Sequence, residues 1–152
     1  MRPAVLPIGL RLTHVSRAVG RAFDDALAVA GGSLPMWLVL LNLKTRSLGN
    51  QRELAEAMGI REATLTHHLN AMETSGLVTR HRDPANRRVH VVALTENGEQ
   101  AFLRLRDAAV AFDRQLRRGI SDAEAATLSD VLGRLAANVG GDDRPPWAGL
   151  AE

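Results

Sequence analysis

Cysteine is absent from all 152 residues, and so is tyrosine. Without a thiol the chain has no disulfide, no thiolate metal site and no thiol redox sensor. Aromatics make up only 3% of it, two Trp and three Phe, so its core has to be built from Leu, Val, Ala and Met. No apolar run reaches the roughly 18 residues of a membrane-spanning helix, so none is predicted. The opening MRPAVLPIGLRLTHVSR has basic residues but no continuous apolar stretch and no cleavage site. No signal peptide is expected, and the cytoplasm is the default location. GxSxG, HExxH, Walker and GxGxxG stretches are missing, and the five histidines are scattered. An enzyme is therefore not expected, nor a bound cofactor. Asp24-Asp25 and Asp142-Asp143 read as solvated pairs rather than catalytic dyads. Lysine is nearly absent as well: Lys44 stands against 18 Arg. That imbalance reflects genome composition more than function, so the positions of the arginines matter more than their number. RHRDPANRR, residues 80–88, has four Arg against one Asp around a Pro-containing turn.

What is present is helical periodicity with clear punctuation. Apolar residues at Ile8, Leu12, Val15, Val19, Ala22, Phe23 and Ala26 recur in steps of three and four, the mark of one helical face. Gly31-Gly32 closes that helix, and Ser33 caps the next, with Pro35 in its first turn. Asn50 to Glu53 opens a short helix over 51–58, which ends at Gly59. A further helix runs from Arg61 to Ser75 and is closed by Gly76. Helix, glycine-containing turn, helix is the helix-turn-helix pattern. The period then changes. Val78–Arg82 and Val89–Leu94 are β-rich runs around the turn residues Asp83-Pro84-Ala85-Asn86, which predicts a hairpin and hence a winged helix. Thr95 opens a long helix to about Arg118, with a seam of Phe102, Leu105, Ala109, Phe112 and Leu116 like that of a coiled coil. Ser121 and Glu124 form a capping box for a last helix, which carries Leu128, Leu132 and Leu135 on one face.

The fold class predicted is mainly α: a three-helix core plus β-hairpin wing, flanked by N- and C-terminal dimerisation helices. Residues 33–95 form the winged helix-turn-helix, 1–32 and 96–139 the helical dimerisation region, and 140–152 a flexible tail. The outer helices have apolar faces with no obvious cover, and a symmetric homodimer is the simplest way to bury them. The interface expected comprises Ile8, Leu12 and Val15, the seam from Phe102 through Leu105, Ala109 and Phe112 to Leu116, and Leu128, Leu132 and Leu135.

QRELAEAMGIREATLTHHLNAMETSGLV followed by RHRDPANRRVHVVALTENG resembles the multiple antibiotic resistance regulator (MarR) family, over about residues 7–138. The resemblance implies a homodimeric transcription factor on double-stranded DNA, with one helix of each half in the major groove and the wing at the adjacent minor groove. It also implies a repressor that leaves its operator when a small effector binds, or a regulator of the same fold with no effector. Arg61, His67, His68 and Met36 stand where the family commonly has other residues, so base preference and ligand cannot be copied from it.

On a helix turning about 100° per residue, Leu65, Leu69 and Met72 share one side and His68 lies at its edge. Ala63, Thr66, His67 and Asn70 face the other way. The two adjacent histidines therefore diverge and are not expected to hold a metal, which would want spacing of about i,i+4. DNA contacts are expected from Arg61, Ala63, Thr64, Thr66, His67 and Asn70. His68 is expected to make a half-buried polar contact. In the wing, Arg80 and Arg82 serve phosphates or internal ion pairs. One of Arg87 and Arg88 enters the minor groove, Arg87 being favoured, while the other pairs with Asp83 as the resemblance implies. An effector pocket, again by resemblance, would involve His14, Arg17, Met36, Trp37 and Phe112 and suit an anionic aromatic compound. The plainer alternative is that Trp37 and Phe112 are core.

Overall fold

The computed structural model describes residues 6–46 and 49–141. The Asp142-Asp143 pair and the tail from 142 onward lie outside the described residues. Six helices and a hairpin follow in order: α1 (Ile8–Val29), α2 (Leu34–Thr45), α3 (Gln51–Met58), α4 (Glu62–Thr74), β1 (Val78–Arg82), β2 (His90–Leu94), α5 (Glu96–Leu116) and α6 (Asp122–Asn138). This is the mainly α winged-helix architecture that the sequence predicts.

The helix starts are set by short side chains satisfying backbone N–H groups that have no intrahelical partner. Ser33 accepts from the Met36 N–H, Asn50 from those of Arg52 and Glu53, and Thr95 from that of Gly98. Ser121 and Glu124 form both arms of a capping box. Gly59 sits at φ 65°, left-handed backbone that an L side chain rarely adopts, and turns α3 into α4.

α2 is the hub. Its Trp37, Val39, Leu40 and Leu41 are buried, and the helix packs against α1, α3, α4, β2 and α5. Leu54, Leu65, Leu69, Met72, Val78 and Val92 close the same core. The hairpin is antiparallel, with Val78 opposite Leu94 and Arg82 opposite His90. The Gly49 carbonyl accepts from the Val92 N–H, tying the start of α3 to the wing. The LTENG segment locks the wing to α5. The Thr95 hydroxyl donates to the Gly76 carbonyl, and a Cβ on Gly98 would lie 2.1 Å from the Leu77 carbonyl oxygen.

The long seam is not an open stripe. Phe102 and Leu105 are buried in the chain's own core, and Phe102 stacks on Trp37 with ring centroids 5.7 Å apart. Ala109 packs against that core, and Phe112 stacks on Phe23 of α1 at 5.0 Å. The expectation that Phe102 and Leu105 lie between two copies is corrected, because the chain's own core buries them, while Ala109 and Phe112 stay half-buried. At the end of the seam Leu116 remains 45% exposed. α5 therefore serves two regions, its first turns completing the winged core and its later turns carrying α1.

At the far end the apolar surface stays open. α6 has no buried residue. A groove of about 440 Å³ runs between it and the start of α1, with Ile8, Leu12, Val15, Leu128, Leu132 and Leu135 among its lining. Among the described residues no single helix is long and apolar enough to cross a membrane.

Candidate nucleic-acid interface

α4 buries Leu65, Leu69 and Met72. That packing pins the helix and turns Ala63, Thr64, His67 and Asn70 to solvent, with exposed Arg61 at the N-cap. His67 is exposed and His68 half-buried. Their rings are 5.8 Å apart with planes at 63°. The polar contact expected for His68 is not made: among the described residues neither imidazole has a hydrogen-bond partner. No group of three or more His, Asp or Glu side chains among the described residues could hold a metal.

Two of the outward polar side chains are already engaged. The Thr66 hydroxyl donates to the Glu62 carbonyl at 2.9 Å and accepts from Gln51 Nε2 at 2.7 Å. This clamps α4 to α3 and leaves Thr66 half-buried. Asn70 Oδ1 accepts from the Arg80 guanidinium, whose Nε lies 3.2 Å from Glu73 Oε2. Arg80 is thus an internal ion-pair partner, one of the two roles expected for it, and it ties the wing to α4.

The wing tip holds itself together by local hydrogen bonds. Asp83 donates its N–H to the Val89 carbonyl, and Val89 donates to that of Asn86. Asp83 Oδ1 accepts from the Ala85 N–H at 2.9 Å, and Asn86 Oδ1 from the Arg88 N–H at 3.2 Å. The Asp83–arginine pair expected from the resemblance is therefore not formed, because the carboxylate closes an Asx turn on its own loop. Arg82, Arg87 and Arg88 are all exposed and, among the described residues, make no ion pair. The result is a local excess of positive charge beside the exposed face of α4, the electrostatic footprint of a phosphate backbone partner.

Sequence reasoning missed Gln51 and Glu73. The available signal for Glu73 was its place one turn beyond Asn70 on the helix that leads into the hairpin. The residues proposed for an effector pocket do not gather into one. Trp37 and Phe112 stack on different partners, Met36 is half-buried, and His14 and Arg17 are exposed on α1.

The family described as MarR family matches residues 33–90. A protein of Thauera aromatica, named as a transcriptional regulatory protein for the hcr operon, is 30% identical over 129 residues, spanning 84% of this chain and 78% of its own length. A MarR family transcriptional regulator from Rhodococcus sp. RHA1 superposes with a TM-score of 0.72 at 29% identity, covering 84% of this chain and 91% of its own. The transcriptional repressor CouR, solved on a 23-mer DNA duplex, gives a TM-score of 0.75 at 26% identity, covering 86% of this chain and 92% of its own. CouR from Rhodococcus jostii RHA1, solved with p-coumaroyl-CoA, gives 0.68 at 27% identity, covering 84% and 90%.

Proposed function

Because the chain belongs to the MarR family of DNA-binding transcriptional regulators, we propose that it acts in the cytoplasm as a homodimeric repressor, released from a pseudo-palindromic operator by a small anionic aromatic effector. The observation that carries this reading is the juxtaposition of an exposed α4 face, Ala63, Thr64, His67 and Asn70, with the unpaired arginines Arg82, Arg87 and Arg88 of the wing. A helix of this kind fits a major groove and reads base edges, while a guanidinium suits a narrow minor groove. Dimerisation is supported by the open α1–α6 groove, whose leucines need a second copy to leave water. Residues 33–95 are the DNA-binding unit in this proposal, with the first turns of α5 added to it. The rest of 1–32 and 96–139 supplies the dimer contacts.

The effector class rests on a relative solved with p-coumaroyl-CoA, the thioester of an aromatic acid. A second reading, a regulator of the same fold with no effector, is favoured by Trp37, which is buried and stacked on Phe102 as part of the core. Light scattering at micromolar concentration should give twice 16.4 kDa. Phenolic acids and their thioesters should raise the melting temperature and release a bound duplex. A fully helical monomer that still binds DNA would overturn the dimer, and a compound set that neither stabilises nor releases would leave the second reading.

A further inference from the structure

We propose that Arg80, a wing residue, sets base preference at a distance by orienting Asn70 on α4. This inference rests on the reading of α4 as the element that meets base edges. Arg80 lies on β1, and its side chain is only 20% exposed. It reaches ten residues back along the chain to Asn70, while its Nε is held by Glu73.

A guanidinium has donors and no acceptor. Asn70 can therefore answer it only with the carbonyl oxygen, and this fixes which way round the amide sits. The oxygen turns toward the wing, and the N–H2 group is what remains to be offered outward. Beside it, Thr66 has already given its proton to Glu62 and one lone pair to Gln51. Its methyl and one lone pair are left for a partner. Asn70 is thus the hydrogen-bond donor of this part of α4, held so before DNA arrives, and it selects an acceptor on the base edge: purine N7, guanine O6 or thymine O4 rather than the cytosine amino group. Arg80 touches no base in this scheme. Without it the amide turns freely and presents oxygen or nitrogen alike.

The test is selection from a randomised duplex pool with the full-length protein, followed by competition binding at each base position. Asn70→Ala should erase the preference at one position of each half-site, a loss of about tenfold or more against the disfavoured base. Arg80→Met should reduce that same preference several-fold and leave the other positions as they were, and Arg80→Lys, which keeps a donor and the charge, should restore part of it. Asn70→Asp still answers Arg80 with an oxygen but now offers an acceptor outward, so its preference should move to a base carrying an amino group there. If Asn70→Ala changes no preference, α4 does not read through this residue and the underlying reading fails at that point. If Asn70→Ala erases the preference while Arg80→Met keeps it, the reading stands and the role of Arg80 falls. Uniform weakening on every sequence by Arg80→Met would also overturn that role, making it merely structural. Should Arg80→Met not fold, Asn70→Asp decides, because a preference that does not move overturns the proposal.

Discussion

In the winged half, Leu40, Leu54, Leu65 and Leu69 are completely covered by their own chain. At the opposite end Ile8, Leu128 and Leu132 stand 63, 52 and 39% exposed. The sequence already marks part of the contrast, since α2 is apolar on nearly all sides whereas α6 carries its leucines along one face. The rest arises from the number of neighbours each helix has. α2 is surrounded by five elements, while α6 meets the rest of the chain across a groove. The winged half is complete in one copy, and the other end is the one that the proposed dimer would cover.

The largest expected effect tests that contrast directly. Leu54→Ala should cost roughly 3 kcal/mol, lost transfer energy plus a cavity, with a urea midpoint that does not move with protein concentration. Leu132→Asp should cost about 2 kcal/mol per protomer, and the loss should shrink as concentration rises. Two midpoints that respond alike to concentration would erase the distinction between the halves.

Within the winged half the same comparison can be drawn on one turn of helix. His67→Ala should leave the melting temperature unchanged and cost on the order of 1–3 kcal/mol at the preferred base pair. His68→Ala should act on folding instead, by about 1 kcal/mol through lost packing, since no hydrogen-bond partner is orphaned. Melting curves and base-substituted duplexes separate the two, and identical profiles would show that the helix does not divide them. Chelation should affect neither stability nor DNA affinity.

Arg87→Ala should lower affinity for all sequences by a modest factor and reduce the salt slope of binding by about two per dimer, one counterion per subunit. An unchanged slope would move the contact to Arg88.

The smallest effect belongs to the open end. Glu124 accepts from the Ser121 N–H at 2.8 Å, and this bond, followed by that with the Ser121 side chain, holds its pKa below the usual glutamate value. A depressed folded pKa means the contribution is fully present above the ordinary glutamate range and is lost as pH falls through the lowered value. An NMR titration should find Glu124 titrating low, and Ser121→Ala, which removes the side-chain bond but keeps the backbone N–H, should bring it only part of the way back up. A Glu124 that titrates as an ordinary glutamate in the unchanged protein would show that the capping box does not form in solution.

The elements were legible because their signals are local. Ser33, Asn50, Thr95 and Ser121 each cap within three residues of themselves, and Gly59 and Gly76 mark turns that need positive φ. The outward and inward faces of α4 were legible for the same reason. The cover over the seam was not. Steps of three and four say which face of α5 is apolar but not whether α1, α2 or a second copy lies on it, so Phe102 and Leu105 read as interface and proved to be core. Thr66 and Asn70 were legible as outward residues but not as engaged ones, because Gln51 and Arg80 come from 15 and ten residues away. Asp83 had two plausible partners, and the nearer backbone amide won over the more distant guanidinium.

α5 runs without a break through 21 residues, a rod of about 30 Å, rooted in the winged core at Phe102 and bearing α1 at Phe112. Such a rod works as a lever arm. Tilting it by about 5° at one end swings the other by roughly 2.5 Å. Two winged halves held on such arms would have to keep their reading helices about one turn of DNA apart, roughly 34 Å. In the proposed dimer, a small wedge at the root of the arms would be enough to put both halves out of step with the duplex, without itself touching the DNA surface.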